Sequence, residues 1–356
     1  MTKRDLIYLG WQGFRNFGDD LLHETWRAAL DHPLDVCAPL GRDYLRRAPS
    51  VAVARLRGLG RERLVLLGGG TTVGFANWGR NARRALRAYG ADALVVAGAG
   101  IAARDDAHAL STQEQDWSEW KAIDEVALFG VRGPISAREA TDFWRRASIV
   151  GDPALLYPRV RPVERPGDPF LGVSIGAGGR TRFDLDALAE AIEELRVLTG
   201  VMPVRIFQLA DEDATVCEAL RDRLGGFRVI RTYRGDVHET MTDLSSAALL
   251  ISERLHGGVA AVALGVPTVS LAYASKCDDF WRSVAPGTDP VRVGANADDI
   301  VAAALSALDE PNRRSTMERV DDLTGRLSAV VGDLAAWLRG DVATQDLAAD
   351  AGAIAA

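Results

Sequence analysis

Apolar residues in this chain gather in short runs separated by amphipathic stretches, and the alternation passes through the chain twice. In the first half, Leu6–Leu9, Leu34–Ala38, Leu64–Leu67, Leu94–Ala97 and Val126–Phe129 read as strands. Asp19–Leu30, Arg80–Tyr89, Gln113–Ile123 and Ile135–Arg146 read as helices, with apolar positions three and four residues apart. Glycines come soon after the strand runs, at Gly10, at Gly68-Gly69-Gly70, and at Gly98 and Gly100. Strand, glycine turn and helix in that order predict a parallel sheet with helices on both faces.

Four prolines between Pro158 and Pro169 interrupt both patterns, because proline lacks the N–H that a helix interior or central strand needs. The alternation restarts with a strand over Leu171–Ile175, the turn Gly176-Ala177-Gly178-Gly179 and a helix over Leu185–Leu198. Val204–Leu209, Phe227–Arg231, Leu249–Ile251, Thr268–Leu271 and Val291–Val293 read as further strands. A long helical pattern runs from Ala297 to Leu338, broken near Asp309-Glu310-Pro311. The expected division is an α/β domain over 1–157, a linker over 158–169 and a second α/β domain over 170–308. A helical segment over 309–340 and a frayed tail over 341–356 complete it. The two domains are expected to face one another across a cleft.

Composition narrows the function classes. The 356 residues carry a net charge of −7, which argues against a nucleic-acid partner. The charge is uneven: residues 1–160 hold 22 Lys and Arg against 19 Asp and Glu, and the remainder holds 20 against 30. Lys3, Lys121 and Lys276 are the only lysines among 42 basic residues, so an arginine by itself is a weak site signal. Cys37, Cys217 and Cys277 form neither a disulfide framework nor a zinc signature, and suit a reducing compartment. No clustered His, Cys and carboxylate ligands signal a metal. The N-terminus shows no signal-peptide pattern, and no uncharged apolar run is long enough to span a bilayer. A cytoplasmic location is expected.

The densest chemistry lies in Ser252-Glu253-Arg254-Leu255-His256-Gly257-Gly258, between an apolar run and an Ala/Val-rich helical stretch. Ligands of open α/β sheets bind at such turns, and the first amides of a helix favour anions. Arg254 adds a permanent planar cation, and His256 adds a proton that exchanges near neutral pH. Lys276, after the next strand, is either a second cation for the same anion or a solvated side chain. Arg132 lies between a strand end and the helix opened by Pro134, as a ligand cation or a bridge between loop carbonyls. In the turn from Gly10 to Asp20, Asp19 or Asp20 either caps the next helix or, with Asn16, holds sugar hydroxyls. Gly68-Gly69-Gly70 is either a tight turn or a ligand loop, without the Gly-Lys-Ser/Thr of a Walker loop. Gly98-Ala99-Gly100 has the spacing of half a dinucleotide fingerprint.

Five segments then fall in a telling order: Asn16-Phe17-Gly18-Asp19-Asp20, Gly68-Gly69-Gly70, Val131-Arg132-Gly133-Pro134 with Ser136, Gly151-Asp152-Pro153-Ala154, and Arg254-Leu255-His256-Gly257 through Pro267 and Lys276. In that order they resemble the polysaccharide pyruvyl transferase family, over roughly Leu6 to Phe280. The resemblance implies two Rossmann-like domains in a GT-B-type arrangement. It implies phosphoenolpyruvate as co-substrate with no other cofactor, a saccharide or glycolipid acceptor, a pyruvate ketal product and released phosphate. A lipid-linked acceptor would bring the protein to a membrane surface. His256, Arg254 and Arg132 match family residues associated with the donor.

On that reading His256, Asp19 and Asp20 are the catalytic candidates. Arg132, Arg254, Leu255, Lys276, Asn16, Gly69, Gly70 and Ser136 are the substrate-binding candidates. Asp20 stands where glutamate is common, and Glu253 before Arg254 is unusual. Two rival readings use the same architecture. One is a GT-B glycosyltransferase for a nucleotide sugar, in which Glu253 would bind the ribose. The other is a non-catalytic relative that binds a sugar phosphate or a protein partner.

Overall fold

The computed structural model describes residues 4–201, 203–225 and 228–347. The chain forms two compact units. The first comprises the chain up to Trp11, Leu22–Leu156 and the chain from Leu323; the second comprises Gln12–Leu21 and Tyr157–Asp322. Two segments therefore fall elsewhere than the sequence pattern suggests. Residues 12–21 group with the second unit, because Phe17 N–H donates to the Leu209 carbonyl at 2.9 Å and Asn16 bridges Ala210. The Phe17 ring also meets Tyr233 edge-on. The helix Glu310–Arg339 is divided between the units after Asp322. Both assignments rest on contacts distant in sequence, which local periodicity does not register.

The first unit holds six parallel strands: β1 (Arg4–Leu9), β2 (Glu62–Leu67), β3 (Thr71–Val73), β4 (Ala93–Ile101), β5 (Val126–Val131) and β6 (Ser148–Ile149). Their order is β1-β2-β4-β5-β6, with β3 paired to β4. Leu64, Val65, Leu66 and Leu67 are all buried, as expected of a parallel strand covered on both faces. Leu34–Ala38 is no strand; it makes a single bridge from Cys37 to Tyr8. Gln113–Ile123 yields only the short helix Ser118–Lys121, because Asp116 accepts from the Ser118 amide and side chain and starts a new turn there. Gly98 and Gly100 lie inside β4 rather than in a turn after it. The pairing of β4 with β5 shifts register between Ala97 and Ala99, at a bulge where Gly98 takes φ +74°.

The second unit holds β7 (Phe170–Ser174), β8 (Val204–Gln208), β9 (Val229–Thr232), β10 (Ala247–Ser252), β11 (Thr268–Ala272) and β12 (Val291–Arg292). All pair in parallel, in the order β12-β11-β10-β7-β8-β9. Helices Leu185–Thr199 and Ala297–Leu308 pack Leu188, Ile192, Leu195, Ile300 and Ala304 into the core of this sheet. Phe227, at the start of the expected strand Phe227–Arg231, lies outside the described residues, as does the end of the expected tail. No helix among the described residues is long and apolar enough to cross a membrane.

Candidate functional site

The chain leaves β7 toward β8 and β9 but leaves β10 toward β11 and β12, so the strand order reverses between β7 and β10. Such a switch point opens a crevice at the carboxyl ends of the two strands. Here Ser174 and Ser252 end β7 and β10 in register. The residues just beyond them are Ile175-Gly176 and Glu253-Arg254.

Glu253 is buried and joins the two loops. Its Oε2 accepts from Gly176 N–H and its Oε1 from Arg182 N–H, each at 2.9 Å. Its own amide donates to Ser174 O at 2.7 Å. Both oxygens are thus engaged, which removes the ribose-binding role considered for it. Burial pushes its carboxyl above the usual range, against the pull of those amides. Glu253→Ala is expected to leave the buried Gly176 amide and the part-buried Arg182 amide without their acceptor and to cost about 1–3 kcal/mol, read as a lowered denaturation midpoint.

Arg254 precedes the helix Leu255–Ala263 as its N-terminal cap residue. Its Nε donates to Asp213 at 2.9 Å and its Nη2 to Glu212 at 2.6 Å and to Asp213. Two carboxylates therefore fix the plane of the guanidinium and offset its charge. Gly176 makes room for this pair, since a Cβ there would overlap the Asp213 carboxylate.

His256 sits in the first turn of the same helix, half-buried. Its ring packs against Gly18, where a Cβ would overlap the imidazole and approach the His256 Cβ to 2.8 Å. Gly257 is needed as well, because a Cβ there would lie 2.6 Å from Ser252 Oγ and 3.0 Å from Leu209.

Asp19 follows Gly18 and lies within electrostatic reach of His256, Lys276 and Arg254. Burial raises its pKa to about 6; His256, the next largest influence, opposes the shift and Asp20 adds to it. The carboxyl of Asp19 makes no hydrogen bond among the described residues. Asp20 differs. It accepts from Gly13 N–H at 2.6 Å and from the Tyr233 hydroxyl at 2.7 Å, and so holds the loop. Asn16 Oδ1 accepts from Gly18 N–H at 3.0 Å and shapes the same turn.

Lys276 lies in the first turn of the helix Ser275–Val284, after β11. Its ammonium stands 5.0 Å from the Tyr273 ring centroid. Burial pushes the Tyr273 hydroxyl up, so it stays protonated at neutral pH. The second unit thus brings together Asn16, Asp19, Asp20, Arg254, Leu255, His256 and Lys276.

The other sequence candidates lie in the first unit, in structural roles. Arg132 is 0% exposed, with Nη1 3.5 Å from Asp152 and Nη2 donating to Thr71 Oγ1 at 2.9 Å. Gly100 is required beside it, because a Cβ there would overlap the guanidinium. A donor role for Arg132 would require this network to open. Ser136 is equally buried, and its Oγ accepts from Ile101 N–H. Gly69 adopts φ +135° under Leu22, and Gly70 adopts φ +76°. Both shape the turn from β2 into β3.

The model of the polysaccharide pyruvyl transferase family matches residues 16–275. The chain belongs to that family. No curated protein matches its sequence. Solved structures similar to this pyruvyl transferase family member include MnaA of S. aureus bound to UDP, at 10% identity and TM-score 0.61, covering 96% of this chain and 98% of that one. The UDP-GlcNAc 2-epimerase of Methanocaldococcus jannaschii is 12% identical at TM-score 0.57, covering 90% and 99%. The pneumococcal O-GlcNAc transferase GtfA is 14% identical at TM-score 0.51, covering 83% and 61%. At these identities the likeness concerns fold alone: an α/β fold of two Rossmann-like domains, of GT-B type.

Sequence reasoning gave no role to Asp213, Glu212, Tyr233 or Tyr273 in this family member. Asp213 lies 41 residues from Arg254, with no local motif to mark it. Tyr273 stands in the loop between β11 and the helix Ser275–Val284, where no periodic pattern marks it.

Proposed function

We propose that this protein transfers pyruvate from phosphoenolpyruvate to two hydroxyls of a sugar-containing acceptor, forming a cyclic ketal and releasing phosphate. The observation that carries the reading, beside family membership, is the group Asp19, His256 and Lys276 at the first turns of three helices. A donor with a phosphate and a carboxylate needs fixed cations and oriented amides. Lys276, the remaining face of Arg254 and the first turn of Leu255–Ala263 supply them.

The chemistry balances with two proton carriers. Protonation of the donor methylene makes a methyl group and leaves the adjacent carbon electrophilic. One acceptor hydroxyl adds there and loses its proton. The carbon–oxygen bond to phosphate then breaks, and the second hydroxyl closes the ring and loses its own proton. Of the two hydroxyl protons, one replaces that given to the methylene and the other leaves with phosphate. His256 is assigned the proton given to the methylene carbon. Asp19, with a pKa of about 6, is mostly ionised at neutral pH and suited to accept a hydroxyl proton. Asn16 and Asp20 hold the turn that presents Asp19.

The test follows phosphorus NMR of phosphoenolpyruvate with the protein and saccharides bearing 1,2- or 1,3-diols. Phosphate is expected only when donor and acceptor are both present, together with a new methyl signal in the proton spectrum. Nucleotide release from a nucleotide sugar, with phosphoenolpyruvate untouched by any acceptor, would replace this reading with glycosyl transfer.

A further inference from the structure

The segment from Arg42 to Arg61 has a surface opposite to that of the rest of the chain. It carries Arg42, Arg46, Arg47, Arg55, Arg57 and Arg61 against a single acid, Asp43, in a protein of net charge −7. Two helices form there, Asp43–Arg46 and Ala48–Arg57, and neither buries a residue fully. Leu45, Leu56 and Leu59 are 82%, 65% and 72% exposed.

The longer helix explains this arrangement. Val51 and Ala54 face the core of the first unit and pack on it. A helix turns about 100° per residue, which puts Pro49, Ala52, Val53 and Leu56 on the opposite side. All four are exposed. Arg55 and Arg57 flank that apolar stripe, one on each side of it. Arg42, Arg47 and Arg57 form no ion pair among the described residues. The neighbouring helix Ala76–Tyr89 has no acid of its own; its Arg83 pairs with Glu119, and the exposed Arg80, Arg84 and Arg87 extend the charge. Arg84 of that helix donates to the Gly41 carbonyl at 3.2 Å, and Arg55 donates to the Arg87 carbonyl at 2.9 Å, so the patch is continuous.

We propose that this face docks the protein on an anionic lipid bilayer, with Leu45, Val53, Leu56 and Leu59 entering the headgroup region and the arginines meeting lipid phosphates. Charge complementarity accounts for the arginines, and partition into the interface accounts for leucines held outward on a helix whose other side is packed. Nucleic acid would meet the arginines but leave the leucines unexplained. The inference does not depend on the reaction proposed above.

Flotation of the full chain with vesicles tests it. Binding is expected to vesicles containing phosphatidylglycerol, not to phosphatidylcholine alone, and should weaken as salt rises. Arg42→Glu/Arg47→Glu/Arg57→Glu should weaken binding roughly tenfold or more. The matched reversal Arg221→Glu/Arg313→Glu/Arg319→Glu on the second unit and its helices should leave binding within about twofold. Leu56→Ser/Leu59→Ser should lower the fraction retained at high salt, with the circular dichroism spectrum unchanged. Equal binding to neutral vesicles, equal effects of the two triple reversals, or wild-type binding by the leucine variant would each overturn the proposal. So would salt-sensitive RNA binding in the absence of vesicle binding.

Discussion

Asp19→Asn is expected to lower kcat by about 10²–10⁴-fold and, at the same time, to make the protein more stable at neutral pH. Both effects come from one cause. The folded protein holds a proton on Asp19 up to a pH of about 6, whereas the unfolded chain releases it near 3.8. Between those values the folded state binds more protons, so Asp19 costs stability as the pH rises through that window. The cost is fully present above the folded pKa and reaches up to about 3 kcal/mol. Asparagine mimics the protonated form and removes it. Denaturation at pH 7.5 and at pH 3.5 checks the sign: the variant should gain at the first and not at the second. The pH profile of kcat/KM supplies the functional half. The wild type should lose activity as pH falls through about 6, where the base becomes protonated, and the variant should lack that limb. Unchanged turnover in the variant would remove Asp19 from the mechanism.

Gly18→Ala should inactivate the protein nearly as completely as His256→Ala, about 10²–10⁴-fold in kcat, although it adds one methyl group. Gly18 lies in the first turn of the helix Phe17–Ala29 with an ordinary φ, so alanine suits the backbone. The obstacle is the His256 side chain, which occupies the space a Cβ would take. The imidazole must swing away, at an overpacking cost of about 1–3 kcal/mol. A double-mutant comparison separates this from general damage. In a His256→Gly background, Gly18→Ala should be nearly neutral for stability, because its steric partner is gone. Equal destabilisation in both backgrounds would show that the clash with His256 is not the cause.

Much of the fold was legible because the period of apolar residues reports local geometry. Leu64–Leu67, Leu94–Ala97 and Leu171–Ile175 are strands where the runs predict them, since a parallel strand buried on both faces has no polar alternation to obscure it. The failures share a physical cause. Leu34–Ala38 has strand composition, but only Cys37 bridges a neighbour. Gln113–Ile123 has helical spacing, but Asp116 restarts the chain within it. β3 spans three residues and is defined by its partner β4 rather than by its own pattern.

Within the site, residue types were readable and their employment was not. The Arg254-Leu255-His256 turn announced itself, because a strand-to-helix junction with a cation, an imidazole and glycines is a local pattern. Asp19 and Asp20 were indistinguishable in sequence. Tyr233, more than 200 residues away, engages one of them and leaves the other facing His256. The sequence by itself determined the α/β class, the two-fold repetition of the strand–helix pattern and the turns that hold the chemistry, all set by local backbone preference and burial. Only the tertiary structure decided that Gly18 exists to admit His256, that Glu253 and Asp213 are internal supports, and that residues 12–21 serve the second unit. Those assignments depend on steric fit and charge pairing between segments far apart in the chain, which no local pattern encodes.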